Sequence, residues 1–74
     1  MTLDRLCVGD RATISAISAE PALVQRLAEF GLFEGEEIEL IAVAPLGDPV
    51  EIRFGNTRLS LRLREAAAIS VQTP

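Results

Sequence analysis

A chain of 74 residues with a single cysteine, Cys7, and no histidine has neither of the staples on which small domains commonly rely. One thiol cannot close an intrachain disulfide, and without imidazole the usual zinc constellations cannot be assembled. The chain, residues 1–74, is one domain at most, and a domain of this size buries only about 60% of the surface its unfolded chain exposes. Its fold must therefore rest on an aliphatic core. With 49% hydrophobic and 24% charged residues the chain is too apolar for intrinsic disorder. Leu, Ile and Val supply that stock, and the aromatics are limited to Phe30, Phe33 and Phe54.

The hydrophobic period changes along the chain. After Leu3, Leu6 and Val8, Gly9-Asp10 is a turn signal leading into Arg11-Ala12-Thr13-Ile14-Ser15-Ala16-Ile17, whose approximate alternation predicts a strand. Pro21 suits the first position of a helix, and Leu23, Leu27 and Phe30 recur at the spacing of one helix face before Gly31. A short helix from Pro21 to Phe30 is expected, too short to persist alone, so its apolar stripe must pack on something. Leu32-Phe33-Glu34-Gly35 reads as a tight turn, and Glu37-Ile38-Glu39-Leu40-Ile41-Ala42-Val43 as a half-buried strand.

Ala44-Pro45-Leu46-Gly47-Asp48-Pro49 cannot continue that strand, because its prolines lack ladder donors; a structured loop is expected. Val50, Ile52 and Phe54 point one way and Glu51 and Arg53 the other, and Gly55-Asn56 turns the chain into Thr57-Arg58-Leu59-Ser60-Leu61, a β-hairpin. A single helical turn is expected near Arg64, before Ala68-Ile69-Ser70-Val71 closes as a last strand. So few strands leave exposed edges unless the sheet curls. The expected fold is mainly β: an SH3-like, partly open barrel of about five strands with one short inserted helix.

Catalysis would need a nucleophile with its base, a paired acid and base, or a metal. Cys7 lacks the commonest activator of a thiol, and between Leu6 and Val8 it reads as a small buried or half-buried apolar residue. No enzyme is expected, no resident metal and no cofactor. Glu34, Glu36, Glu37 and Glu39 lie close together, but Glu37 and Glu39 share the solvent face of a strand, which leaves a weak, transient divalent contact at Glu34 or Glu36 as the most a metal could find.

A formal charge of −4 opposes binding to nucleic acid and to anionic lipid. The stacking aromatics of single-strand binders and the aromatic groove of proline-rich peptide binders are missing too. The longest apolar run, residues 40–46, is too short to insert in a membrane, and the first residues lack the blocks of a signal peptide, so a cytoplasmic location is expected. A protein without catalytic groups acts by presenting a surface. The proline-stiffened loop, which would lose little entropy on docking, makes Leu46 and Asp48 candidate contact groups. Arg62 and Arg64 could share an exposed face beside Glu65, and exposed strand edges leave room for weak homo-oligomerisation.

Taken in order, Leu3 and Leu6 before Gly9, Arg26-Leu27 to Gly31-Leu32, Gly35, the Ala44-Pro45-Leu46-Gly47-Asp48-Pro49 loop, Leu61-Arg62 with Glu65-Ala66, and Ile69 and Val71 resemble the FeoA family over nearly the whole chain. Glu34 departs from the pattern, since the family often has proline there. The resemblance implies an SH3-like small barrel and a role in bacterial ferrous iron uptake. The implied partner is the membrane transporter FeoB, which carries a GTPase domain, and the implied effect is on its assembly or GTPase cycle. It further implies that Pro45, Leu46, Gly47, Asp48 and Pro49 form a signature loop, with Leu32, Leu61 and Arg62 on the nearby surface. The alternative is a metal-responsive regulatory module like the SH3-like C-terminal domain of iron-dependent repressors; the DNA-binding helical domain of such repressors has no counterpart here.

Overall fold

The computed structural model describes all residues, Met1–Pro74. The strands are β1 (Arg11–Ile17), β2 (Glu37–Val43), β3 (Val50–Phe54), β4 (Thr57–Leu61) and β5 (Ile69–Gln72), with helix α1 (Pro21–Glu29) after β1 and the short helix α2 (Leu63–Ala66) after β4. They form one antiparallel sheet in the order β4-β3-β2-β1-β5. The mainly β, partly open expectation therefore holds, down to the position of both helices. Irregularities between Ile14 and Ala16 in β1 and between Leu40 and Ala42 in β2 bend the sheet around its core.

Alternation decides what each strand buries. Ala12 and Ile14 of β1, Ile38 and Leu40 of β2, and Val50, Ile52 and Phe54 of β3 all point inward. On the opposite face Glu39 lies between Arg53, at 2.7 Å, and Arg11, at 3.9 Å. Every buried residue is apolar, so the core leaves no buried side-chain polar group to be satisfied. A short 3-10 helix, Leu3–Arg5, which the periodicity did not signal, drops Leu3 into this core, with Leu6 just after it.

The end of α1 explains two departures from expectation. Gly31 sits at φ +92°, Leu32 N–H donates to the Leu27 carbonyl at 2.9 Å and Gly31 N–H to that of Ala28 at 2.9 Å, the double bond of a Schellman motif. This closure folds Leu32 back beside Leu27, and both side chains are buried. Leu32 thus takes the core position that the spacing had given to Phe30. Phe30 caps the helix and is exposed.

Cys7 is also exposed, not buried or half-buried. Its N–H donates to Asp10 Oδ2 at 2.8 Å, and Asp10 N–H returns to the Cys7 carbonyl at 2.9 Å across Gly9, at φ +96°. The turn carries the thiol away from the core that Leu6 enters.

The sheet's two edges differ. The N-terminal segment covers β5: Thr2 bridges to Ser70, and Val71 N–H donates to the Met1 carbonyl at 2.8 Å. No segment pairs with the outer side of β4.

Candidate functional site

Loop 44–49 leaves β2 at Val43 and enters β3 at Val50. Its base is closed by Ala44 N–H donating to the Pro49 carbonyl at 3.0 Å, and its tip by Gly47 N–H donating to the Ala44 carbonyl at 2.7 Å. Gly47 stands at φ +91°, where a side chain would strain the backbone, so glycine is dictated there. At the tip Leu46 is 96% exposed, with Pro45 and Asp48 exposed beside it and Pro49 half-buried.

Asp48 ties this loop to α2. Its Oδ1 accepts the Leu63 N–H at 3.1 Å, one of the amides at a helix start that has no intrahelical partner. The residue before the helix, Arg62, has no side-chain acceptor to offer, so Asp48 supplies one from outside. Glu65 supplies the next: its Oε1 accepts the Arg62 N–H at 2.9 Å, while Oε2 pairs with Arg26 Nη2 of α1. The Glu65 side chain is only 14% exposed. The Arg62 amide above all, with the Arg26 guanidinium, holds its carboxyl below the ordinary carboxylate range, although desolvation pulls the other way. Loop, α1 and α2 are thereby linked through two carboxylates.

Arg62 and Arg64 are left exposed, and neither is among the arginines that form ion pairs. With Asp48 they line a shallow depression of about 260 Å³. A neighbouring hollow takes in Pro49, Ser60 and Arg26. A larger open one, about 650 Å³, lies between the helices, with Leu23, Arg26, Arg64 and Glu65 in its wall. The expected face of Arg62 and Arg64 exists, but Glu65 is turned inward from it.

Pro45, Leu46, Gly47, Asp48, Pro49 and Arg62 thus come together as one surface, joined by the exposed Leu63 and Arg64. Leu32 and Leu61 do not join it, since each is 1% exposed. Leu32 is held in the core by the closure of α1, and Leu61 by its place as the inward residue opposite Val50. Buried side chains cannot form it, although Leu61 lies in the floor of the hollow beside Pro49 and Arg62. Arg26 was missed because nothing local in the sequence connects it to Glu65, which lies 39 residues further on. Glu34 is exposed and Glu36 partly so, and nowhere do three or more Asp, Glu or Cys side chains gather as a metal would need.

The comparisons agree with this architecture. The family model for the FeoA domain matches residues 1–73. Over 72 residues the chain is 36% identical to the Fe(2+) transport protein A/Fe(2+) transporter FeoB fusion protein of Porphyromonas gingivalis; the match covers 97% of this chain and 8% of that much longer protein. The solution structure of the FeoA protein of Chlorobium tepidum superposes with a TM-score of 0.94 at 40% identity, covering 99% of this chain and 70% of that one. The crystal structure of Stenotrophomonas maltophilia FeoA complexed with zinc, described as a prokaryotic SH3 domain protein, superposes at 0.83 with 34% identity, covering 97% and 89%. The SH3-like, five-stranded antiparallel fold and the match along 73 residues make this chain a member of the FeoA domain family.

Proposed function

We propose that the chain is a non-enzymatic, cytosolic accessory of bacterial ferrous iron uptake that docks on the cytosolic part of a FeoB transporter and modulates its assembly or GTPase cycle. The observation that carries this reading is the Porphyromonas gingivalis relative, in which a segment 36% identical to this chain is fused in one polypeptide with FeoB. Covalent joining keeps two partners at high effective concentration, so it favours modules that work in contact. Loop 44–49 and the start of α2 are the surface this reading uses. Leu46 offers an apolar anchor on a stiff support, where little entropy is lost on binding.

A pull-down with the purified cytosolic domain of a FeoB transporter, run without nucleotide, with GDP and with a GTP analogue, tests it. Association in at least one state is expected, together with reduced iron uptake by cells carrying Leu46→Ala plus Asp48→Ala. No association in any state, with normal uptake by that double variant, removes the docking reading.

One observation favours a second reading, a metal-responsive module: the Stenotrophomonas maltophilia relative was crystallised with zinc. Calorimetry with ferrous, manganous and zinc ions distinguishes the two. Stoichiometric binding at micromolar concentrations would favour metal response, and its absence leaves docking.

A further inference from the structure

Of the sheet's two edges, only that of β4 is open, since Met1 and Thr2 cover β5. The hairpin geometry fixes which groups the open edge presents. Residues 55 and 56 form the turn, Phe54 pairs with Thr57, Ile52 with Leu59 and Val50 with Leu61. In a two-residue hairpin these are the pairs that exchange hydrogen bonds, and the residues between them point their N–H and C=O outward. The outward residues of β4 are therefore Arg58 and Ser60. An edge with unpaired amides and carbonyls is a template for one more strand.

The charge along this edge selects the strand. Arg58 lies on β4 itself and Arg62 and Arg64 just beyond its end, so residues 57–64 hold three of the chain's seven basic residues and none of its eleven acidic ones, the nearest acidic neighbour across the hairpin being Glu51 opposite Ser60. Arg58, Arg62 and Arg64 are all exposed, and none forms an ion pair. This basic stretch stands out in a chain of net charge −4. A second copy of the chain pairing edge to edge would set one such row against another, and like charges facing each other across a strand pair are unfavourable. An acidic strand meets the opposite situation. Ser60 also lines the hollow that holds Pro49, Arg62 and Arg64, where Glu65 is already paired with Arg26, so the edge runs directly into the loop and α2 surface.

We propose that the β4 edge receives an extended acidic segment of the docking partner, paired with the backbone of Arg58 and Ser60, its carboxylates meeting Arg62 and Arg64. The partner's identity rests on the docking reading above; the geometry of the edge does not.

The test is amide hydrogen exchange and affinity on the full chain, with the cytosolic domain of a FeoB transporter as probe. Slowed exchange at Arg58 and Ser60 in the complex is expected, with affinity that weakens as salt is raised. Ser60→Pro removes only an outward donor, which an edge strand tolerates, and should weaken binding by about tenfold with little change in melting temperature. Arg62→Glu combined with Arg64→Glu should weaken it at least as much and remove or reverse the loss of affinity with salt. Binding with unchanged exchange at Arg58 and Ser60, or unaffected by Ser60→Pro, overturns the edge proposal and leaves docking in place. If the transporter domain does not bind, the docking reading fails, and the edge is judged with a short peptide alternating Val and Glu against its Val and Lys counterpart. Protection of the two amides by the acidic peptide alone supports the proposal; protection by neither, or by both equally, overturns it.

Discussion

Replacing Leu61 and Leu46 separately by alanine distinguishes the support of the proposed docking surface from the surface itself. Leu61 is 1% exposed within the apolar core, and removing its side chain beyond Cβ costs about 2–5 kcal/mol in transfer and cavity energy. A domain of 74 residues has on the order of 4–11 kcal/mol of total stability. At about 4–8 °C per kcal/mol, a loss of about 3 kcal/mol lowers the melting temperature by roughly 12–24 °C. Leu46 is 96% exposed, and its replacement should stay within about 0.5 kcal/mol and a few degrees. Circular dichroism melts and urea titrations measure both, and an unchanged urea slope shows that the unfolded states remain comparable. Binding to the transporter domain, taken well below either melt, should reverse the order: Leu61→Ala keeps near-normal affinity, while Leu46→Ala weakens it by about tenfold, as loss of an anchor does. A Leu61→Ala protein that melts like the parent but no longer binds would refute the reasoning. So would a Leu46→Ala protein that loses more than about 1 kcal/mol of stability, because the tip would then be packed.

Asp48→Ala removes the acceptor of the Leu63 amide and should cost about 1 kcal/mol, seen as faster exchange of that amide with the sheet amides unchanged. Glu65→Gln should cost about 1 kcal/mol at neutral pH, read as the difference in melting temperature from the parent. Because the folded-state pKa of Glu65 is lowered, that difference is fully present above the ordinary carboxylate value, near 4.5, and is lost as the pH falls through the lower folded value. A difference that grows on acidification would contradict the assignment. Cys7, exposed in its turn, should react fully with a thiol reagent in the native protein; labelling only after denaturation would place it in the core.

Hydrophobic period is a local property, and it was enough to locate every strand and both helices. The alternation of β1 and β2, the Gly55-Asn56 turn and the prolines that end β2 each act within a few residues. The lack of imidazole and of a second thiol likewise pointed, without any coordinates, to an apolar core without metal or disulfide, and that core is aliphatic apart from Phe54. Burial is a property of the closed structure, and there the local reading and the resemblance both went astray. The resemblance implies Leu32 and Leu61 on the surface near loop 44–49, yet one is drawn inward by the closure of α1 and the other by its pairing with Val50. Cys7 sits between two apolar residues but leaves the core in a turn. The ties from Asp48 to Leu63 and from Arg26 to Glu65 span 15 and 39 residues, distances at which local pattern carries no signal. Which edge stays open was also decided late, because it depends on where the first residues of the chain come to rest against the last strand. Sequence fixes the elements because their causes lie within a turn or two of backbone, whereas the surface depends on contacts that exist only once distant segments have met.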